Sequence, residues 1–286
     1  MHKPTTLNLS GGRWKFHDIV SLVALSLVAL LFLFPFFWML TNAVRRNSEV
    51  LAIPPRMFPS TWEWGNFAEA LTNLPFGQFF INSFVMATGV TVITVIVSAL
   101  AAYAFARLRF PGRDGLLLAY LGTLMIPQIM LVIPLFLVVN SVGWMNTYQG
   151  LILPMAFSSF GAFLLRQFFL SIPCELEEAA RIDGASRLRI LLEIIAPLSL
   201  PAIGLLALFT FIAQWNNFLW PLIVANSTDY ATLPLGLTLF QTQQGTSWNY
   251  IMAGAALSVV PGVVLAIVMQ RIIYKGITIG SGFGGR

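Results

Sequence analysis

The fold is decided by the stretch from Phe80 to Ala106, which reads FINSFVMATGVTVITVIVSALAAYAFA and contains no charged side chain. A bilayer core of roughly 30 Å requires about 20 apolar residues in a helix, so this stretch is long enough to cross a membrane. The whole chain of 286 residues is similar, with 57% hydrophobic and 9% charged residues and a mean hydropathy of +0.81. A soluble domain carries about 25% charged residues. We therefore predict an all-α integral membrane protein.

Five further stretches have the length and polarity of membrane spans, which predicts six transmembrane helices in all. They cover approximately Ile19–Val44, Leu116–Val139, Tyr148–Phe169, Pro201–Ala225 and Ile251–Ile273. Helices are expected because a segment in lipid must satisfy its own backbone hydrogen bonds. This pattern predicts an N-terminal segment over residues 1–18, a six-helix domain over 19–273 and a tail over 274–286.

The basic residues predict the orientation of the spans. Thirteen of the 16 Lys and Arg residues lie in the two terminal segments and in the loops after spans 2 and 4. Positively charged loops stay in the cytoplasm, so both termini are expected to be cytoplasmic. The three exceptions, Arg45, Arg46 and Arg56, lie in the external loop after span 1. The tryptophans of that loop predict an interfacial anchor with a short helix around Trp64–Leu71, or alternatively a contact with an external protein.

The predicted spans contain amides and prolines but no charged residue well inside them. The absence of intramembrane charge argues against an ion-coupled pump and against an intramembrane enzyme, since both need titratable groups. Pro127 and Pro134 in span 3 are each expected to bend the helix. The amides are either glue between helices or the lining of a polar path for an uncharged, hydroxyl-rich solute. The candidate path residues are Asn82, Gln128, Gln214, Asn216 and Asn217.

The loop between spans 4 and 5 runs from Ser171 to Pro197 and reads SIPCELEEAARIDGASRLRILLEIIAP. We predict two short helices in it. Ser171 is a candidate N-cap for the first, and Gly184 can end it in the left-handed conformation. Ser186 can cap the second helix. Such a rigid, charged helix suits the docking of a partner better than a simple connection between spans.

The same loop carries the pattern Glu178-Ala179-Ala180, three residues, Gly184, nine residues, Ile194 and Pro197. This pattern resembles the EAA motif of permease subunits in bacterial ATP-binding-cassette importers. The string from Glu178 to Ser186 is similar to the carbohydrate branch of that family and its six-span, maltose-type members. Ala196 stands where the family motif has Leu.

The resemblance implies that the loop is a coupling helix seated in a cleft of an ATPase subunit. The residues expected to make this contact are Glu178, Ala179, Ala180, Asp183 and Gly184. The resemblance also implies three kinds of protein partner: a second, different permease subunit, two ATPase subunits on the cytoplasmic side, and an extracytoplasmic solute-binding protein. It places the chain in the bacterial inner membrane, with the external loop 226–249 near the binding protein and the tail from Lys275 near the ATPases.

The chain lacks a motor of its own. Phosphate binding by a Walker-type loop needs G-x-x-x-x-G-K-[ST], and none of the three lysines, Lys3, Lys15 and Lys275, has that setting. ATP and Mg²⁺ are therefore expected in partner ATPases, with no cofactor bound by this chain. One cysteine and two histidines predict no zinc site. No basic cluster with interleaved aromatic residues indicates a nucleic-acid partner.

Together these features predict a non-enzymatic permease subunit that imports a sugar or oligosaccharide by alternating access. One alternative keeps the architecture and imports a glycerol-phosphate-type polyol ester. A different class of protein, a self-sufficient secondary carrier, is the other alternative.

Overall fold

The structure is a computed structural model that describes residues 16–242 and 245–280. Almost all of its regular structure is helical, as predicted. The α-helices are α1 Phe16–Ala43, α2 Asn47–Val50, α3 Gly65–Thr72, α4 Phe76–Arg107, α5 Arg113–Gly122, α6 Val132–Ser141, α7 Tyr148–Ile152, α8 Ser159–Leu170, α9 Glu175–Ile182, α10 Arg187–Ile190, α11 Ala196–Leu198, α12 Leu200–Trp215, α13 Leu219–Val224, α14 Leu233–Thr238 and α15 Trp248–Gly280.

Short segments of other types connect these helices. 3₁₀ turns cover Thr123–Met125, Gln128–Leu131, Leu153–Met155 and Thr228–Tyr230, and a π-helical turn covers Leu191–Ile195. Strands β1 Gln241–Thr242 and β2 Gly245–Thr246 pair antiparallel, with Gln241 opposite Thr246.

Three helices in the described chain are individually long and apolar enough to cross a membrane: His17–Ala43, Phe76–Arg107 and Trp248–Val268. The number rises to six if each of three bent pairs is one span. The pairs are Arg113–Met125 with Gln128–Ser141, bent by 94°, Tyr148–Met155 with Ser159–Leu170, bent by 49°, and Arg187–Leu198 with Leu200–Trp215, bent by 81°.

The breaks refine the predicted spans. Pro127 lies between two helical segments of the first bent pair, so a bend at Pro127 was correctly expected. The expected bend at Pro134 is wrong, because Pro134 lies in the first turn of α6, where no N–H is needed for the helix. The continuous span predicted over Pro201–Ala225 is also wrong. Helix α12 ends at Trp215, and α13 begins at Leu219 after a break at the two asparagines.

Helix α4 is the centre of the packing. At about 1.5 Å per residue its 32 residues span about 48 Å, so its two ends define two ends of the molecule. We call the end at Phe76 the cap end and the end at Arg107 the loop end. Helices α8 and α12 lie against α4, and α1 lies along α15. Small residues allow helices to approach each other closely. At Gly161 a Cβ atom would overlap the side chains of Ser98 and Leu206.

The cap end is closed by the segment after α1 and by the segment before α15. The side-chain amide of Asn66 on α3 donates to the carbonyls of Ala43 and Arg45, both at 2.8 Å, and accepts from Asn249 at 3.1 Å. The short helix expected around Trp64–Leu71 is present as α3. Trp62 and Trp64 are stacked on each other and exposed, which fits both the interfacial anchor and the contact with an external protein.

Two predicted segments fall partly outside the described residues. Residues 1–15 of the predicted N-terminal segment and residues 281–286 of the predicted tail are not described. The remaining tail residues, 274–280, continue helix α15.

Candidate functional site

The loop between α8 and α12 contains the two helices that were predicted, α9 and α10. Gly184 follows α9 with φ +80°, the left-handed conformation that ends a helix, and Ala185 N–H donates to the Ala180 carbonyl at 2.9 Å. Ser186 Oγ accepts from the Arg189 N–H at 3.3 Å and so caps α10. The predicted position of Gly184 at a helix end and the predicted N-cap at Ser186 are confirmed.

The predicted role of Ser171 is wrong. Helix α8 continues to Leu170, and Ser171 Oγ donates to the Phe168 carbonyl at 2.7 Å, so this residue closes the preceding helix. Helix α9 begins later, at Glu175, after Cys174.

Helix α9 has one exposed face and one packed face. Glu178, Ala179 and Asp183 are exposed, and the Ile182 side chain is 87% exposed. Gly184 is exposed beside them. Ala180 turns the other way and packs partly buried against the cluster that contains Phe169 and Ile190. Four of the five predicted coupling residues therefore share an open surface, which we call the outer face of α9. The exposed Ile182 side chain and the Glu178 carboxylate beside it are suited to a cleft that contains a basic residue.

The packed face of α9 carries a charged residue that sequence reasoning missed. Glu177 is buried and meets Arg107, the last residue of α4. Arg107 Nε and Glu177 Oε1 lie 2.7 Å apart as an ion pair, without the angle of a hydrogen bond. Tyr103 donates to Glu177 Oε2 at 3.4 Å, and Arg181 approaches the same oxygen at 3.5 Å. Helical spacing was the available signal, because Glu177 and Glu178 cannot point to the same side of one helix.

Arg107 also binds the end of α8. Its Nη2 donates to the carbonyls of Phe169 at 2.5 Å and Ile172 at 2.6 Å, and its Nη1 to Cys174 Sγ at 2.9 Å. Cationic groups stabilise helix C-termini by binding their last carbonyls, and acidic groups stabilise N-termini. Arg107 thus lies at the C-terminal ends of α4 and α8, and Glu177 lies in the first turn of α9. We call this arrangement of Arg107 and Glu177 the joint.

The link from the loop to α12 is irregular. Leu191–Ile195 form a π-helical turn, and the chain then bends by 81° between Leu198 and Leu200. Turns of π-helix are frequent at functional sites, since the extra residue in the turn perturbs the regular ladder. Ser199, at the bend, is fully buried.

The five amides predicted to line a path fall into three places. Gln214, Asn216 and Asn217 lie together where α12 ends: Asn217 donates to Gln214 Oε1 at 3.0 Å, and Asn216 donates to the Ile212 carbonyl at 2.9 Å. Gln128 lies exposed at the 94° break, and its side chain has no hydrogen-bond partner within residues 16–242 and 245–280.

Asn82 stands apart from the other four amides, near the cap end. Its Nδ2 donates to the carbonyls of Asp229 and Ala231, both at 2.8 Å, and its Oδ1 accepts from Gln78 at 2.9 Å and Tyr148 at 2.7 Å. An amide offers two donors and two acceptor sites, so all four are used within the chain. In this structure Asn82 holds the segment before α14, and its place on the path stays a prediction.

Comparison with known proteins shows which family the chain belongs to. Residues 94–279, which include the last 14 residues of α4 and the whole loop, match the family described as binding-protein-dependent transport system inner membrane component. The chain belongs to this family. It is therefore an inner-membrane transport subunit, and the prediction of a non-enzymatic permease is confirmed.

Individual relatives of this transport-system component agree with that assignment. The trehalose/maltose transport system permease protein MalG of Thermococcus litoralis is 38% identical over 268 residues, which cover 92% of this chain and 96% of the relative. The sn-glycerol-3-phosphate transport system permease protein UgpE of Pectobacterium atrosepticum is 37% identical over 268 residues, which cover 91% and 95% of the two chains.

A solved structure shares the fold of this inner-membrane component. It belongs to a bacterial ABC transporter involved in the import of the acidic polysaccharide alginate. The match has a TM-score of 0.79 at 23% identity and covers 91% of this chain and 99% of the other.

Proposed function

We propose that this chain forms half of the translocation path of an ATP-driven importer for a sugar or oligosaccharide. The observation that carries the proposal is the outer face of α9. The loop of this family member exposes Glu178, Ala179 and Ile182. The chain has no phosphate-binding motif, so ATP hydrolysis has to come from a separate ATPase subunit. We place two ATPase subunits, which use ATP and Mg²⁺, at the loop end.

We propose six spans and both termini in the cytoplasm, with the loop Ser171–Pro197, which includes most of the first arm of the third bent pair, on the cytoplasmic side. The division into segment 1–18, spanning domain 19–273 and tail 274–286 belongs to the same proposal. Its support is the distribution of basic residues, since thirteen of 16 fall on the side that carries the loop. The loop end is then cytoplasmic, and the cap end faces the solute-binding protein.

A second, different permease subunit completes the path in this proposal. The broken segment around Pro127 exposes a run of large apolar side chains: Met125, Ile126, Ile129, Met130 and Ile133. Non-helical backbone at membrane depth is tolerated where protein covers it or where it lines a cavity, so the 94° break suits an interface with a partner chain better than one with lipid. The proposed path residues are Gln128 at this break, Asn82 on α4, and Gln214, Asn216 and Asn217 at the end of α12.

The mechanism follows from these contacts. ATP binding closes the two ATPases, and α9 moves with its ATPase as a rigid body. The spans attached to α9 then rotate against the partner permease and open the path towards the binding protein. Each half of the cycle exposes the amides to one side of the membrane.

The choice of solute rests on the chemistry of the path. The amides offer hydrogen bonds and no positive charge, which suits hydroxyl groups. The UgpE relative, nearly as similar as MalG, keeps a glycerol-phosphate ester as the second candidate. A phosphate ester calls for a cation along the path, which the partner chain then has to supply.

The coupling role is tested in the complete importer, purified with its partner subunits and reconstituted in liposomes. Glu178→Ala and Gly184→Asp are compared with Asp114→Ala, which removes an exposed carboxylate of the other loop at the same end. Coupling free energies of 1–3 kcal/mol correspond to about 5- to 150-fold, so we expect uptake to fall about tenfold or more in the two loop variants. Uptake and solute-stimulated ATP hydrolysis at wild-type rates in both would end the assignment.

The solute is tested in the same liposomes with two labelled probes, trehalose and sn-glycerol 3-phosphate. ATP-dependent uptake of trehalose alone agrees with the sugar assignment, and uptake of the phosphate ester alone replaces it with the second candidate. Uptake without nucleotide by the purified chain alone would establish a secondary carrier instead.

A further inference from the structure

The joint is a charged pair placed where charge is unfavourable. The side chains of Arg107 and Glu177 are 6% and 3% exposed. Removing two ions from water costs solvation energy that their attraction often fails to recover, and a well-packed apolar pair is frequently as stable. A gain in stability therefore does not by itself explain why the pair is buried.

One guanidinium at the joint connects three segments that are far apart in the sequence. Arg107 belongs to α4, its two short hydrogen bonds go to carbonyls at the end of α8, and its ion pair goes to α9. A guanidinium offers five N–H groups in a rigid fork, so this geometry fixes the relative positions of its partners. Helix ends that share such a fork move together.

The covalent link of α9 to α12 is less direct than this contact. Towards α12 the chain passes the left-handed Gly184, the π-helical turn Leu191–Ile195 and the 81° bend at Ser199. Among the described residues, the polar contacts from α4 to α9 are those of Arg107 and Tyr103 with Glu177. The central helix α4 is thus attached to α9 chiefly through the joint.

We infer that Arg107 and Glu177 are positioning residues that transmit the movement of α9 to α4 and α8. The outer face of α9 receives the ATPase, and Glu177 on the opposite face passes the displacement to Arg107. This inference rests on the proposed function, because it assigns a route to the stroke that the ATPase delivers.

The test uses the complete reconstituted importer and measures solute imported per ATP hydrolysed, with whichever labelled probe, trehalose or sn-glycerol 3-phosphate, is taken up. Arg107→Gln and Glu177→Gln leave the outer face intact, so ATPase binding and ATP hydrolysis are expected to persist. The ratio of solute to ATP is expected to fall about tenfold, within the range by which residues between two sites alter their coupling. The double variant Arg107→Glu with Glu177→Arg is expected to leave the ratio low, because a carboxylate at position 107 cannot donate to the Phe169 and Ile172 carbonyls.

The matched control is Arg113→Gln, which breaks the exposed Arg113–Asp114 pair at the same end. A wild-type ratio in both glutamine variants overturns the inference, and so does an equal fall in the control. If the glutamine variants do not assemble, Arg107→Lys decides. It keeps the charge and loses the fork, and a wild-type ratio in this variant also overturns the inference.

Glu178→Ala is measured in parallel, so that a failure of the coupling role of α9 can be distinguished from a failure of the role of the joint. If this variant and Gly184→Asp both retain wild-type uptake, the coupling role proposed for the outer face of α9 fails. If Glu178→Ala loses uptake while the joint variants retain their ratio, only the inference about the joint fails.

Discussion

Two arginine side chains are buried at opposite ends of this molecule, and their partners differ. Arg107 at the loop end contacts the carboxylate of Glu177, whereas Arg45 at the cap end is 1% exposed and donates to the Arg56 carbonyl at 2.5 Å. The Arg45 guanidinium also lies over the Trp38 ring, 5.2 Å from its centroid. Burial lowers the pKa of Arg45, and the nearby Glu49 carboxylate opposes that change.

The distance between partners along the chain separates the two cases. The groups that hold Arg45 come from residues 38–56, so this side chain closes a local structure that needs no movement. The partners of Arg107 lie 62 and more residues away and belong to a loop proposed to move. A buried charge at the cap end stabilises one segment, and a buried charge at the loop end joins several.

The largest expected effect concerns two glycines, one at each end, because the glycine near the cap end is tightly packed and the glycine at the loop end is not. A Cβ at Gly150, near the cap end, overlaps the Trp144 carbonyl oxygen, whereas a Cβ at Gly184 meets no atom within 4 Å. Overpacking costs about 1–3 kcal/mol and occasionally more, and we expect about 3 kcal/mol for Gly150→Ala because a backbone atom cannot step aside easily. Left-handed alanine costs about 1–2 kcal/mol, so Gly184→Ala is expected to be milder.

Thermal unfolding of the purified importer measures both glycine variants. Gly184→Asn is the matched control, because asparagine tolerates the left-handed region. Equal destabilisation by Gly150→Ala and Gly184→Ala would show that the cap end is no more tightly packed than the loop.

The second expected effect is a loss of stability without a loss of coupling. Arg45→Met removes a charge-assisted hydrogen bond worth about 1.5–3 kcal/mol and a cation–π contact worth about 0.5–2 kcal/mol, partly offset by burial of the methionine. We expect about 2 kcal/mol of destabilisation in thermal unfolding and an unchanged ratio of solute imported per ATP. Arg56→Met is the control, since Arg56 contributes only its backbone carbonyl. A fall in the ratio at unchanged stability would contradict the comparison.

The sequence predicted local features well because their causes are local. Uninterrupted apolar runs predicted the spanning helices, Pro127 predicted a break, and Gly184 and Ser186 predicted the end of one helix and the start of the next. The path amides Gln128, Gln214, Asn216 and Asn217 remain predictions, since the contacts described for them neither require nor exclude a solute.

The features that sequence reasoning missed depend on distant partners. Glu177 is one of three acids in the first turn of α9, and only packing shows that it faces Arg107, 70 residues earlier. The sequence also contains no sign that Asn82 holds the carbonyls of Asp229 and Ala231, almost 150 residues later. The break after Trp215 contains neither proline nor glycine, the residues that announce breaks in a sequence.

The smallest expected effects come from the exposed ion pairs that each end also carries. Arg46–Glu63 at the cap end is 59% and 41% exposed at 3.0 Å, and Arg189–Glu193 at the loop end is 64% and 59% exposed at 2.8 Å. Exposed pairs contribute about 0–1 kcal/mol because water already solvates both charges. In Arg189–Glu193 the basic residue precedes the acidic one by four positions, which is the weaker order on a helix.

We expect Arg46→Gln and Arg189→Gln each to change the stability of the importer by about 0.5 kcal/mol or less. Thermal unfolding at low and physiological salt is the measurement, and any difference between variants and wild type is expected to shrink as salt screens exposed charges. An effect as large as that of Arg45→Met in either variant would mean that burial is not what distinguishes Arg45 and Arg107 from the other arginines at their ends of the molecule.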